Sequence, residues 1–358
     1  MRGLSRQRAA RVKPMNQNGV VRKQSHFHRM AFVHFRLMPS ILVFGTLCLL
    51  IARAWAQAPP RPRDTLFGTS LSPAHLPFPS RADFSTFFDE AAAIGSHVTW
   101  ICEWQTMPTP AQIRIIHNLV KRSGLKFHFY LSPIALTGGR KSPAIPASVG
   151  GSSFNDPVVR RAYKDQVLAL AALSPDYLGL ATEVNFLAQN PPELTAFASL
   201  ARETYEEVKQ KYPAQIVTIS FQWDVMRAHP QFNVVRQFAH SLDVYSFTSY
   251  PDAFGKPTKI PADYFSSVRN ILPSEPLGFS EVGWSSAPPS SEDEQAKFYS
   301  QLSEFMRGAH PAYVTLALLH DVDIFKDELA RLNAVGIRRI DDAPKKSWDV
   351  VLRLPEMH

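Results

Sequence analysis

Eight short apolar runs, separated by helical or turn-rich stretches, confine this chain to an α/β fold. The runs occupy residues 66–71, 97–104, 125–131, 177–183, 216–221, 242–248, 276–281 and 314–319. Runs of this length and apolarity read as strands buried on both faces, which is the habit of parallel sheet. Helical patterns fill residues 84–94, 111–122, 156–173 and 191–211. The first of these starts near Ser80 or Asp83, either of which can cap it, and stops at Gly95. Eight strand–helix units in about 295 residues predict a single (β/α)8 TIM barrel over residues 65–358. An open doubly wound sheet would place a phosphate-binding turn after its first strand, and Ser70-Leu71-Ser72-Pro73 is not one.

Charge separates the barrel from what precedes it. Of the 39 Lys and Arg, ten lie in residues 1–56 with no acidic residue among them, leaving 29 basic against 31 acidic residues elsewhere. The formal charge of +8 therefore belongs to the leader, and the remainder offers no polycation for nucleic acid. Residues 41–52 form an apolar stretch after Arg29 and Arg36, and Ala54-Trp55-Ala56 supplies the small residues of a signal-peptidase site. Residues 1–56 are thus expected to be a basic leader and signal peptide, cut after Ala56, with Met30 as an alternative start. At roughly 12 residues the apolar stretch is too short to span a bilayer comfortably. Membrane contact is expected through this segment only, and the exported chain is expected to be secreted or periplasmic. A Pro-rich tether, residues 57–64, follows. Cys102 is then the one cysteine left, so no internal disulfide can form. No metal-type cysteine pairing and no Gly-rich phosphate loop is present, and neither a metal nor a cofactor is expected.

Two of the strand-like runs end in a single carboxylate, Glu183 and Glu281. The carboxyl ends of barrel strands are where such folds place their chemistry, and two carboxylates are the minimum equipment for hydrolysing a glycosidic bond. A period-2 register puts Gly179, Ala181 and Glu183 on one face of the fourth strand, and Leu277, Phe279 and Glu281 on one face of the seventh.

At these residues the chain resembles a known family. Glu281-Val282-Gly283-Trp284 is similar to the nucleophile segment of clan A glycoside hydrolases, particularly endo-β-1,4-galactanases and endo-β-glucanases. Ala181-Thr182-Glu183-Val184-Asn185 resembles the segment carrying their acid/base, and residues 336–348 resemble the tail after their eighth strand. The resemblance implies a retaining double displacement on a β-linked polysaccharide, with Glu183 as acid/base and Glu281 as nucleophile. It also implies an asparagine before the acid/base, where Thr182 stands here, and a basic residue near the end of the second strand. Residues 100–104, Trp-Ile-Cys-Glu-Trp, supply no such base.

The remaining candidates surround that pair. Trp104, Trp223 and Trp284 follow strands and could offer flat faces to a sugar ring. Tyr250 would suit a hydroxyl donor to the nucleophile, and Asn185 could bind a sugar hydroxyl or tie down its loop. His320 and Asp321, where the eighth strand meets its loop, could contact sugar hydroxyls. Together with Glu183 they could also form a metal-dependent hydrolytic site, a weaker expectation. A barrel that binds carbohydrate without cleaving it is the alternative from another functional class. Residues 132–153, rich in Gly, Ser and Pro, are long enough to be a functional loop over one face.

Overall fold

The computed structural model describes residues 65–354, apart from 137 and 138. The leader, its expected cleavage site and the tether lie outside the described residues. Eight parallel strands close into a barrel in chain order, with β8 pairing back onto β1. They are β1 Leu66–Ser70, β2 His97–Glu103, β3 Lys126–Ser132, β4 Tyr177–Gly179, β5 Val217–Gln222, β6 Val244–Ser249, β7 Leu277–Val282 and β8 Tyr313–Leu316. The fold is the (β/α)8 barrel that the alternation predicts.

Local chemistry sets the helix starts. In α1, Arg81–Ile94, Ser80 is the N-cap and Asp83 its reciprocal partner, so both residues singled out in the sequence serve one capping box. Thr109 and Gln112 do the same for α2, Pro110–Arg122, which also carries proline at its first position. α3, Pro157–Ala171, and α4, Pro191–Lys211, follow β3 and β4. Later crossovers depart from the simple pattern. Between β5 and β6 run two short helices, α5 Trp223–Ala228 and α6 Phe232–Gln237. Between β6 and β7 lie only 3-10 turns, Pro251–Phe254, Pro257–Lys259 and Ser266–Asn270. Prolines at 251, 257 and 261 deny a continuous helix its backbone donors there. α7 Glu292–Ser300 and α8 Leu302–Met306 lead into β8, and α9 Trp348–Leu352 closes the ring. None of these helices is long and apolar enough to cross a membrane.

The barrel interior is polar and aromatic where branched aliphatic residues usually fill it. His97 and His128 stack with ring centroids 4.2 Å apart. Tyr130 and Tyr313 share a 2.7 Å hydroxyl contact, and both bond to Ser246. Gly179 and Gly278 make room for those tyrosines: a Cβ would lie 2.1 Å from the Tyr130 ring in one case and 2.4 Å from the Tyr313 ring in the other. The apolar core lies outside the strands. There Phe279 packs on Phe247 and Phe265, and Trp104 on Tyr163.

These contacts correct the expected faces of the seventh strand. Phe279 points outward to the enclosing segments, while Gly278 faces the interior. The pairing of β6 with β7 then slips, from Phe247 opposite Phe279 to Thr248 opposite Glu281. Ser280 is the extra residue of this bulge, and bulges re-aim the side chains that follow them. The bulge takes Glu281 off the outward face of Phe279 and into the mouth of the barrel. The fourth strand is also shorter than expected. Its ladder ends at Gly179, and Glu183 adopts a left-handed conformation, φ 54°, at the start of the 3-10 segment Val184–Gln189.

Candidate active site

Glu183 and Glu281 converge at the carboxyl end of the barrel through a third residue. Arg140 forms an ion pair with the Glu183 carboxylate, and its charge also acts on Glu281. Thr248 joins the two sides: it lies opposite Glu281 in the pairing of β6 with β7 and donates to the Glu183 carboxylate. Glu183 is only 2% exposed, and further bonds hold it: Ser220 Oγ accepts from its backbone N–H at 3.0 Å, and Thr248 Oγ1 donates to its carboxylate at 2.5 Å. Glu281 is half-buried at the wall of a cavity of about 380 Å³. Burial pushes its carboxyl up from an ordinary 4.5 to about 7, against the opposing pull of Arg140 and a hydrogen bond from Tyr250. The Tyr250 hydroxyl is raised well above its usual value, first by burial and then by the charge of Glu281.

Arg140 comes from the long loop after β3. Its Nε donates to the Leu136 carbonyl at 2.9 Å, and its guanidinium lies 5.3 Å from the Phe186 ring centre. The base of the loop is tied by Ala144 N–H to Pro133 O at 2.7 Å, and by Leu136 N–H to the Glu103 carboxylate at 3.2 Å. A cation absent from the end of the second strand thus comes from the loop after the third, and Glu103 of the second strand anchors that loop. Sequence reading placed a functional loop here but did not single out Arg140. Its only local signal is an arginine after two glycines.

Asp224 was also missed. It accepts from the Tyr250 N–H at 2.7 Å, from Ser249 Oγ at 3.0 Å and from the Tyr264 hydroxyl. It therefore sets the backbone from which Tyr250 reaches Glu281. Gly283 leaves the space that Tyr250 needs, since a Cβ there would lie 2.9 Å from the tyrosine ring. Thr182 lines the same cavity, and its hydroxyl is buried without a hydrogen-bond partner. Such a group is costly to desolvate and ready to accept a ligand hydroxyl.

Most of the other expected contacts lie elsewhere. Trp104, Trp223 and Trp284 are 4%, 1% and 0% exposed, so none offers a face to a sugar. Trp223 donates to the Tyr264 carbonyl, and Trp284 stacks on Phe298 while donating to Ser290 Oγ. A large aromatic after a barrel strand is worth more buried between strand and helix than left in a groove. Asn185 accepts from Gln222 N–H at 2.7 Å and donates to Gln231 at 3.0 Å, tying loops together rather than facing the cavity.

His320 and Asp321 turn away to the outer wall. His320 contacts Ser72 O, Asp342 and Glu90 of α1. Burial pulls this imidazole down, but its bonds to Glu90 and Asp342 outweigh that and leave it raised. Asp321 pairs with Lys345 at 2.7 Å. With Glu183 held by Arg140, the three residues of the metal-dependent alternative have separate partners. Glu90, His320 and Asp342 do lie within metal-ligand reach of one another. However, Arg338 Nε sits 3.0 Å from Glu90 and 2.9 Å from Asp342, already supplying the positive charge.

No family model matches the sequence, and no curated protein is a match. Solved structures do match in shape. A variant of a GH5_18 protein from Bifidobacterium longum subsp. longum, in complex with Manβ1-4GlcNAc, superposes with a TM-score of 0.65 and 16% identity, over 82% of this chain and 78% of the other. The exo-β-1,4-mannosidase Op5Man5 from Opitutaceae bacterium strain TAV5 gives 0.65 and 12%, over 81% of this chain and 59% of its own. A GH5_18 variant from Streptomyces cattleya, also with Manβ1-4GlcNAc, gives 0.63 and 17%, over 82% and 80%. At such identities the likeness establishes the fold that this chain shares with glycoside hydrolases.

Proposed function

We propose that this chain hydrolyses β-glycosidic bonds with retention of configuration, using Glu183 and Glu281, outside the cytoplasm after removal of residues 1–56. The observation that carries the reading is the pair of carboxylates at the carboxyl end of the barrel, Glu183 bonded to Thr248 and ion-paired with Arg140, and Glu281 opposite Thr248 at the wall of a cavity. Retention needs one carboxylate to attack the anomeric carbon and the other to protonate the departing oxygen and later activate water. In the leading assignment Glu281 attacks and Glu183 is the acid/base. Tyr250 steadies Glu281, and the free Thr182 hydroxyl meets a sugar hydroxyl. The neighbours in complex with Manβ1-4GlcNAc make β-mannosides, beside β-glucosides and β-galactosides, the first substrates to try. Polysaccharides and simple glycosides both offer such bonds.

A second assignment exchanges the roles, and one observation favours it. Glu281 holds its proton up to about 7, as an acid should, while Glu183 is paired with a cation. Under the leading assignment the substrate must draw Arg140 off Glu183 toward Glu281. Aryl β-glycosides with good and poor leaving groups separate the two. Removing the acid spares activated dinitrophenyl substrates and allows azide to yield a product of retained configuration. Removing the nucleophile stops all substrates and allows azide to yield an inverted product. The leading assignment expects the first behaviour of Glu183→Ala and the second of Glu281→Ala. Wild-type protein that binds but cleaves no member of a broad panel, with or without chelator, refutes hydrolysis and leaves a carbohydrate-binding barrel.

A further inference from the structure

The walls of the cavity beside Glu281 are mostly apolar, with a few polar groups among them. Arg140, Glu281, Tyr250, Thr182, Thr99 and Ser70 supply its polar groups. The loop after β1 contributes Leu71 and Leu76, and the segment after β8 contributes Leu318, Val322, Ile324 and Phe325. Ile324 stays 45% exposed, so the apolar wall continues into solvent. A second pyranose placed against these side chains would bury hydroxyls beside aliphatic and phenyl groups that can neither donate nor accept, and each unmade bond opposes binding. One flat face does line the cavity, that of the half-buried Trp100, while Trp104, Trp223 and Trp284 are buried in packing; an aryl aglycone stacks on such a ring as readily as a sugar does. The volume, about 380 Å³, is at the small end for ligand pockets and suits one compact ligand.

We propose that the substrate is a β-glycoside of an apolar alcohol, alkyl or aryl, with one sugar at the carboxylates and the aglycone along the Leu76–Ile324 wall. The inference rests on the glycosidase reading for its sugar subsite and narrows the expected polysaccharide to a glycoside with a single sugar. Apolar surface leaving water makes binding roughly fourfold tighter per buried methylene.

The test is calorimetric titration of the protein with methyl, propyl and hexyl 1-thio-β-D-glucosides and 1-thio-β-D-mannosides, which resist cleavage, and with the corresponding thio-linked disaccharides. Affinity should climb roughly fourfold per methylene, with the disaccharides no tighter than the methyl compounds. Ile324→Asn, at an exposed position that folding does not depend on, should flatten the climb. Affinity independent of chain length, disaccharides tighter than hexyl compounds, no binding of the hexyl compounds, or an unaltered slope in Ile324→Asn each overturns the proposal. Binding with the expected slope but no turnover of any glycoside supports it while sinking the hydrolytic reading.

Discussion

Replacing Glu281 by glutamine should change how stability depends on pH, in a direction fixed by the site. The folded protein holds the Glu281 proton up to about 7, whereas the unfolded chain releases it near 4.5. Below 4.5 both states carry the proton, and the group costs the fold nothing. Between 4.5 and 7 the unfolded chain alone ionises, so stability falls as pH rises, and above 7 it levels off. At about 1.36 kcal/mol per tenfold change in proton affinity, that interval amounts to about 3 kcal/mol, and access to the cavity trims it somewhat. Glu281→Gln keeps the shape and a hydrogen bond for Tyr250 but has no proton to lose. Urea unfolding at half-unit steps from pH 4.5 to 8 should therefore show the wild type losing about 2–3 kcal/mol relative to the variant. Most of that loss should be complete by pH 7. A difference that stays constant across the range, or that grows in favour of the wild type, would refute the claim that burial outweighs Arg140 at this carboxylate.

Arg140→Met should move the pH-rate limb governed by Glu281 upward by about one to three pH units, since an opposite charge at this range lowers a carboxyl by that much; profiles of kcat/KM with identical midpoints would remove Arg140 from the site. His320→Gln should destabilise the protein by about 1–2 kcal/mol near pH 5–6. That penalty should shrink as pH rises through the raised imidazole value, because the bonds to Glu90 and Asp342 favour the charged ring; thermal melts at pH 5.5 and 8.5 decide it. Trp284→Phe, which loses the bond to Ser290 and part of the ring packed on Phe298, should leave KM for any glycoside unchanged while costing about 2–3 kcal/mol of stability; a large rise in KM would restore this tryptophan as a sugar contact. Gly179→Ala should fail to fold or lose more than about 3 kcal/mol, because its methyl group would enter the Tyr130 ring, and wild-type stability would contradict the crowding of the barrel interior.

Strand order, strand number and the segments that carry Glu183 and Glu281 were legible from the sequence because they depend on local patterns. A buried parallel strand is a continuous apolar run whatever lies around it, and capping residues such as Ser80 and Thr109 act within one turn. The face that a side chain adopts is less local. Period-2 counting failed in β7 because the bulge at Ser280 arises in the pairing with β6, which the isolated run does not encode.

Everything else about the site was decided by the closed barrel. Arg140 meets Glu183 across 43 positions of chain, Asp224 meets Tyr250 across 26, and Trp223 finds the Tyr264 carbonyl across 41. No sequence window contains such partners. The residue types alone made Trp284 or Asn185 as plausible a sugar contact as a packing element. Tertiary burial settled that choice: an aromatic ring or an amide enclosed by strand and helix gains from packing and internal hydrogen bonds. The loop between β3 and α3 stood out by its length and its Gly, Ser and Pro content, but that its Arg140 meets Glu183 was decided by the tertiary fold.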